Sequence, residues 1–494
     1  GGDVSASNDI TLQSKETMQT TGAITANQNV SLTSTDGAIT TGAAVTAETG
    51  NIAATAKGNV TTNDKLSAEA GTITLTSVTG NVAVNREATA QNDVTLEAAA
   101  GSVAVDGAVT SKEGNVTATS QDAITTTAAV NANQNVTLTS TDGAMTVGGD
   151  VSASNDITLQ SKETMRTTGK LTAADDVNLT STSGDVSISD DISTGKQMPT
   201  WKEEIPEVEE PYNALVIHAG GSIQEATGVK IDTPVVETYS GKGVSMESEN
   251  NAFAYFLADA LEGSTEINGS VKAVTNYADT VATDNTDSFF TAGVGAIVRG
   301  DAEFTNINEN GSLGLLLLNP TDENREIKIL GGNGAEGNLV LKASQDVGLL
   351  GDANAAHDIV INAANGSFYG IGRDMVAGHD VSLSVADAVY YVGAVINAGH
   401  DINMQALKPM ETNDYSGIYI GALPENIEAI GSDSAAAGDP TILTAGHDAR
   451  FAVNGNGNIG LEGYVTAGTG DEAGDVVADI SGAGSIAITK SVKS

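Results

Sequence analysis

The apolar residues of the first 194 positions fall into columns. Val4, Ile24, Val45, Leu66, Ala88, Val109, Val130, Val151, Leu171 and Ile192 stand 20 to 22 residues apart. Three further columns keep the same step: Ile10, Val30, Ile52 and onward to Val177; Leu12, Leu32, Ala54 and onward to Leu179; Met18, Ile39, Val60 and onward to Val186. The second and third columns are two residues apart, so one outward residue stands between two inward ones. That is the period of a half-buried strand. Gly, Asn, Asp and Ser separate the patches and accept turn conformations. Pieces of three to five residues rich in Val, Ile and Thr are too short for a helix and suit strands.

The unit multiplied by duplication, since residues 148–169 repeat residues 1–22 with Arg166 in place of Gln19. One copy cannot bury its own apolar positions. Stacked copies can, because their columns fuse into one interior. The predicted fold is therefore all-β: a right-handed parallel β-helix (β-solenoid) of about 21 residues and three strands per coil, with longer irregular coils in the C-terminal part. Coils about 4.8 Å apart make the chain of 494 residues roughly 20 coils, on the order of 100 Å long.

The pattern divides the chain into four stretches. Residues 1–194 are the regular repeat. Residues 195–213 form an acidic, Pro-rich loop or insertion with Pro199, Pro206, Pro211 and the only tryptophan, Trp201. Proline cannot donate to a ladder, so this stretch leaves the solenoid between coils. Residues 214–337 resume as irregular coils with insertions. Within them, 250–263 suits either a short helix or a long buried strand, and 313–318 reads as a buried strand ended by Asn319 and Pro320. Residues 338–494 return to regular coils, whose strands open at Leu339, Ile359, Val381 and Ile402. The last three follow turns reading Ala356-His357-Asp358, Gly378-His379-Asp380 and Gly399-His400-Asp401. A fourth such turn, Gly446-His447-Asp448, comes 47 residues after its predecessor, which reads as two coils plus an insertion.

These phrases, AGHDVSLSVA at 377–386, AGHDINMQA at 398–406 and TAGHDARFAV at 444–453, resemble the A-G-x-D-(L/I/V)-x-L-x-A haemagglutinin repeat. That repeat belongs to filamentous-haemagglutinin-like exoproteins, the secreted adhesins of two-partner secretion. The resemblance covers the C-terminal third through its motif and the rest through coil length. It implies a right-handed β-helix, export across an outer membrane and adhesion at an extracellular bacterial surface. The secretion domain of that family is not visible in this sequence, and the chain opens inside a repeat, which reads as a piece of something longer.

Composition narrows the partners. With 64 acidic and 22 basic residues the net charge is −42, so nucleic acid, which requires a basic face, is set aside. No apolar run approaches the length of a membrane-spanning helix. There is no cysteine, hence neither disulfide nor thiolate metal site. All 18 aromatic residues follow position 200. Trp201, Tyr390, Tyr391, Tyr415 and Tyr419 are the candidate contact surface, where aromatic rings can stack on sugars, although plain core packing is the preferred account of the tyrosines.

Other candidate chemistry is thin. His357, His379, His400 and His447 recur at coil spacing and are weak candidates for a row of metal ligands. The turn position is exposed and variable in such repeats and its Asp serves the turn, so no metal is assigned; His218 stands outside the pattern. A loose match to a calcium-binding nonapeptide at 331–338 leaves calcium a minor option, and no cofactor is assigned. Outward rows that include Thr11 and Thr33 have the Thr-x-Thr form of an ice-binding face, but threonine's strand preference suffices to explain them, and Gln13, Glu97 and Gln160 interrupt the second row. Asp9, Asn29, Asn51, Asp93, Asn115, Asn135, Asp156 and Asp176 make a structural row able to bond along the axis.

Evenly spread carboxylates, with no nucleophile motif or phosphate loop, argue against an enzyme. The resulting reading is an extracellular, non-catalytic filament or adhesin that meets a host or bacterial surface receptor or glycan. The alternatives are a fibre subunit self-associating end to end and a polysaccharide-binding or -degrading β-helix.

Overall fold

The computed structural model describes residues 2–198, 200–202, 205–209, 212–277, 288–316, 328–409, 417–422, 440–469 and 473–493. Among them there is no helix, and every regular element is a strand. Contacts divide the chain into two units. Unit 1 is Gly1–Gln197 with Asn213–Pro234, and unit 2 is Met198–Tyr212 with Val235–Ser494. Each is a parallel β-solenoid, as its sequence predicts.

A coil of unit 1 has three strands. Ile24–Ala26 lies on the first face, Val30–Ser34 on the second and Ile39–Thr41 on the third. Every strand pairs in parallel with its equivalent one coil away. Ile24 faces Val45, Val30 faces Ile52 and Ile39 faces Val60. The four columns of the sequence are these register lines. Their residues point inward and are essentially sealed from water, as Ile24, Val30, Leu32 and Ile39 show at 0–1 % exposure. The terminal coil differs: Val4 is 40 % exposed and Leu12 half-buried, since no described coil covers them.

Two kinds of polar residue fix the corners. Ser34 ends a five-residue strand pointing inward. Its hydroxyl donates to the Glu16 carbonyl of the preceding coil at 2.6 Å and accepts the Gly37 N–H at 3.2 Å. Ser77 and Ser181 repeat both bonds. Turning the chain would otherwise leave those backbone groups buried and unpaired. The Asn/Asp row satisfies the opposite corner. Asn29 Oδ1 accepts the Asn51 N–H at 2.9 Å, and Asn115 and Asn135 pass the same bond onward at 3.1 Å. The bonding runs mainly from side-chain oxygen to the next coil's backbone.

Unit 2 uses the same three-sided coil with aromatic residues in its interior. Phe253, Phe256, Phe290, Phe304, Phe368 and Phe451 are fully buried, and Phe253 lies 5.8 Å from Phe290 between ring centres. Residues 250–263 resolve as a strand, Tyr255–Asp259, that pairs with Val235–Ser240. The run at 313–318 belongs to strand Gly311–Leu316, and its last two residues lie outside the described residues. The Pro-rich insertion holds an antiparallel pair, Thr200–Lys202 with Ile205–Glu209, so it is a hairpin and not only a loop. The 331–338 stretch is a tight turn. Asn333 and Gly334 have φ of 52° and 92°, and Gly332 and Ala335 exchange backbone hydrogen bonds. Asn-Gly suits such a turn because both residues tolerate positive φ.

One spacing requires correction. His447 is one coil from His400, not two: the His447 N–H bonds to the His400 carbonyl at 2.8 Å and Ala449 pairs with Ile402. The additional residues of that 47-residue step are all insertion within a single coil.

Candidate functional site

The (A/G)-His-Asp turns link two faces of unit 2. Strand Met375–Ala377 enters one such turn and Val381–Val385 leaves it. Backbone bonds between successive turns, His379 N–H to His357 carbonyl and His400 N–H to His379 carbonyl, set the imidazoles one coil spacing apart. The four rings form a stack. Centroids lie 4.7, 4.9 and 5.0 Å apart with interplanar angles of 9°, 4° and 10°.

Oxygens thread this stack. Nδ1 of His357, His379, His400 and His447 lies 3.1, 3.0, 3.2 and 3.1 Å from Oδ1 of Asn338, Asp358, Asp380 and Asp401 in the preceding coil. Each Nδ1 is also 3.2 to 3.5 Å from the Oδ1 of the Asp that follows it in sequence. Nitrogen and oxygen therefore alternate along the edge of the unit. The amide oxygen of Asn338 can only accept, so Nδ1 of His357 carries the hydrogen between them. Each Asp Oδ1 also accepts the backbone N–H of the next turn's Asp, at 2.9 or 3.0 Å from Asp358 onward to Asp448. The Asp thus serves the turn, as the sequence suggests, and the same oxygen holds the imidazole. At the end of the row the Asp475 N–H and the Arg450 guanidinium keep the Asp448 carboxyl below the usual carboxylate range. The imidazoles are 30 to 45 % exposed, open to solvent along one edge.

A second feature is aromatic. Tyr369, Tyr390 and Tyr419 pair in register on successive coils, and alternation turns all three outward. Tyr390 and Tyr419 stack at 5.4 Å and 16°, Tyr369 is 42 % exposed, and the Tyr419 hydroxyl donates to Glu462 at 2.9 Å. The register neighbours beyond this stripe are Gly348 and Gly460, so its ends are bare backbone.

The candidate residues therefore separate. Tyr390 and Tyr419 lie on the surface together, joined by Tyr369, which sequence reasoning missed. Tyr391 is core: it is fully buried and its hydroxyl donates to the carbonyls of Arg373 and Val395. The preference for core packing therefore fails for Tyr390 and Tyr419, whose strand parity is opposite to that of Tyr391. Tyr415 lies outside the described residues, and Trp201 is placed only by its backbone, in register with Val208. Sequence inspection also missed Glu462 and Asn338. A signal for Tyr369 exists, since Phe368-Tyr369, Val389-Tyr390 and Ile418-Tyr419 repeat an apolar–Tyr pair on three coils.

On unit 1 the Thr row is in register as read, with Thr95, Thr117, Thr137 and Thr158 successive. Beside it run Asp93, Asn115, Asn135 and Asp156, and the two rows line a shallow polar groove of about 250 Å³.

No family model matches the chain, and no curated protein and no solved structure matches it.

Proposed function

We propose that this protein is a non-catalytic extracellular adhesin of a bacterial surface, of the filamentous-haemagglutinin type, whose coils act as scaffold and whose tyrosine stripe contacts a glycan. The Tyr369–Tyr390–Tyr419 stripe carries the reading. The outward edges of the stacked Tyr390 and Tyr419 rings, with the exposed Tyr369 one coil away, make an apolar strip against which sugar C–H groups can pack, and Glu462, which already holds the Tyr419 hydroxyl, has a second oxygen able to accept a sugar hydroxyl. Val376, Ile442 and Tyr464 are also exposed on unit 2, but they lie on a different face from the Tyr369–Tyr390–Tyr419 register. The Ala-Gly-His-Asp phrases support the family, and export unfolded suits a chain without cysteine.

A glycan array probed with the wild type and with the Tyr390→Ala/Tyr419→Ala double variant tests it. Both side chains face outward, so the variant keeps its circular dichroism. It should lose about tenfold or more in affinity for whichever glycan the wild type retains. An array that retains no wild-type protein, or equal binding by the variant, would contradict the proposal.

A further inference from the structure

We propose that the histidine–aspartate row of unit 2 is a binding site for borderline divalent metal ions such as Zn²⁺, Co²⁺ or Ni²⁺, taking two ions per chain. Three triads qualify: His357-Asp358-His379, His379-Asp380-His400 and His400-Asp401-His447. In each, one oxygen and two nitrogens lie within 4.8 Å of one another. The Nδ1 to Oδ1 separations of 3.0 to 3.5 Å equal those of two donors about 2.1 Å from one ion at angles of about 90–115°. The second imidazole of each triad closes by about 1 Å to complete the set. Its ring is partly solvent-exposed and attached through rotatable bonds, so that movement leaves the backbone ladder intact.

The chemistry of the donors selects the ion. Imidazole nitrogen suits zinc, cobalt, nickel and copper, whereas calcium and magnesium take oxygen sets. In the metal-free row each Nδ1 holds the hydrogen toward an oxygen. Binding moves that hydrogen to Nε2, at the solvent edge, and gives the Nδ1 lone pair to the metal, so each imidazole stays neutral and no proton need be lost. The backbone N–H groups that hold each Asp oxygen orient the carboxylate for this role, as supporting hydrogen bonds do in metal sites. Glu336 Oε2, 3.6 Å from His357 Nδ1, adds a further carboxylate at the first triad.

The stacking alone has a plainer purpose, which is to satisfy the turn. Stoichiometry separates the two accounts. Neighbouring triads share His379 or His400, so only the first and third fill together. Calorimetric titration with ZnCl₂ in excess Mg²⁺, which occupies the ordinary carboxylates, should saturate at two zinc ions per chain. His379→Ala and His400→Ala should each bind one, the double variant none, and His218→Ala two. Co²⁺ should give visible absorption that the double variant loses. Zinc binding that is abolished by Mg²⁺, or unchanged in the double variant, would overturn the proposal. Should the variants fail to fold, X-ray absorption of zinc-loaded wild type decides: two imidazole ligands per zinc are expected, and oxygen ligands alone would overturn it.

Discussion

At the scale of single residues, the interior of unit 1 is apolar apart from two recurring positions, the hydrogen-bonded corner serines and one threonine position. The last inward position of the third face is Thr20, Thr41, Thr62, Val84, Val105, Thr126, Val147, Thr167 and Ile188 on successive coils. The hydroxyls of Thr41, Thr126 and Thr167 are buried with no hydrogen-bond partner. A buried, unpaired hydroxyl costs about 1–3 kcal/mol, and Val has nearly the same shape. Thr126 sits between Val105 and Val147. Thr126→Val should therefore stabilise unit 1 by about 1 kcal/mol, read as a higher urea midpoint at unchanged slope. Carboxylates behave differently. Asp9 is held down by the Asn29 backbone N–H, Glu87 by the Thr89 hydroxyl and Glu266 by the Arg299 guanidinium, so all three ionise below their ordinary range. A folded state with depressed carboxylates binds fewer protons than the unfolded chain. The stability they contribute is complete above the unfolded values near pH 4 and lost as pH falls through the folded ones. Between pH 7 and about 5, easing of self-repulsion among 64 acidic and 22 basic residues works the other way. The melting temperature should hold or rise over that interval and fall below about pH 4; a decline beginning above pH 5 would count against this balance.

At the scale of the element, the turn decides how closely coils approach. A Cβ on Gly399 would stand 2.0 Å from the Gly378 carbonyl oxygen, and one on Gly446 would stand 1.9 Å from that of Gly399. Backbone occupies the space a side chain needs, which explains Gly before His-Asp in three of the four turns. Gly399→Ala should cost at least about 2 kcal/mol in urea unfolding, and it should also disturb the histidine stack above it. Strand positions were legible wherever coil length is constant. In unit 1 all four columns coincide with the register, because a period of about 21 residues names each residue's neighbour directly. In unit 2 the sequence loses this count. Insertions between 402 and 449 add residues without adding a coil, so the step to His447 was misjudged. The tyrosines were ambiguous for another reason. Ala388–Val392 reads AVYYV, with apolar or aromatic residues at both parities, so alternation alone cannot say which tyrosine faces in. Only pairing of Val389 with Phe368 and Ile418 sets the phase. The corner serines gave no hydrophobic signal, and their role emerged only from the carbonyls they meet.

At the scale of the whole molecule, one building rule serves two interiors. Unit 1 fills similar layers with Val, Ile, Leu, Met and Ala, while unit 2 places aromatic residues in its interior and in an outward stripe and carries a row of histidines. The chemistry-bearing residues accordingly lie in unit 2, where near-identical repetition has given way to variation. All of this rests on equivalent residues of successive coils lying directly above one another. The absence of cysteine permits a direct test with paired spin labels. Ser31 and Thr158 are outward positions on the second face, 127 residues apart in sequence and six coils apart in register. Labels on Ser31→Cys/Thr158→Cys should show a narrow distance distribution near ~29 Å, and Thr74→Cys/Thr158→Cys, four coils apart, near ~19 Å. Broad distributions, or distances that fail to grow by about 4.8 Å per coil, would contradict the stacked-coil account.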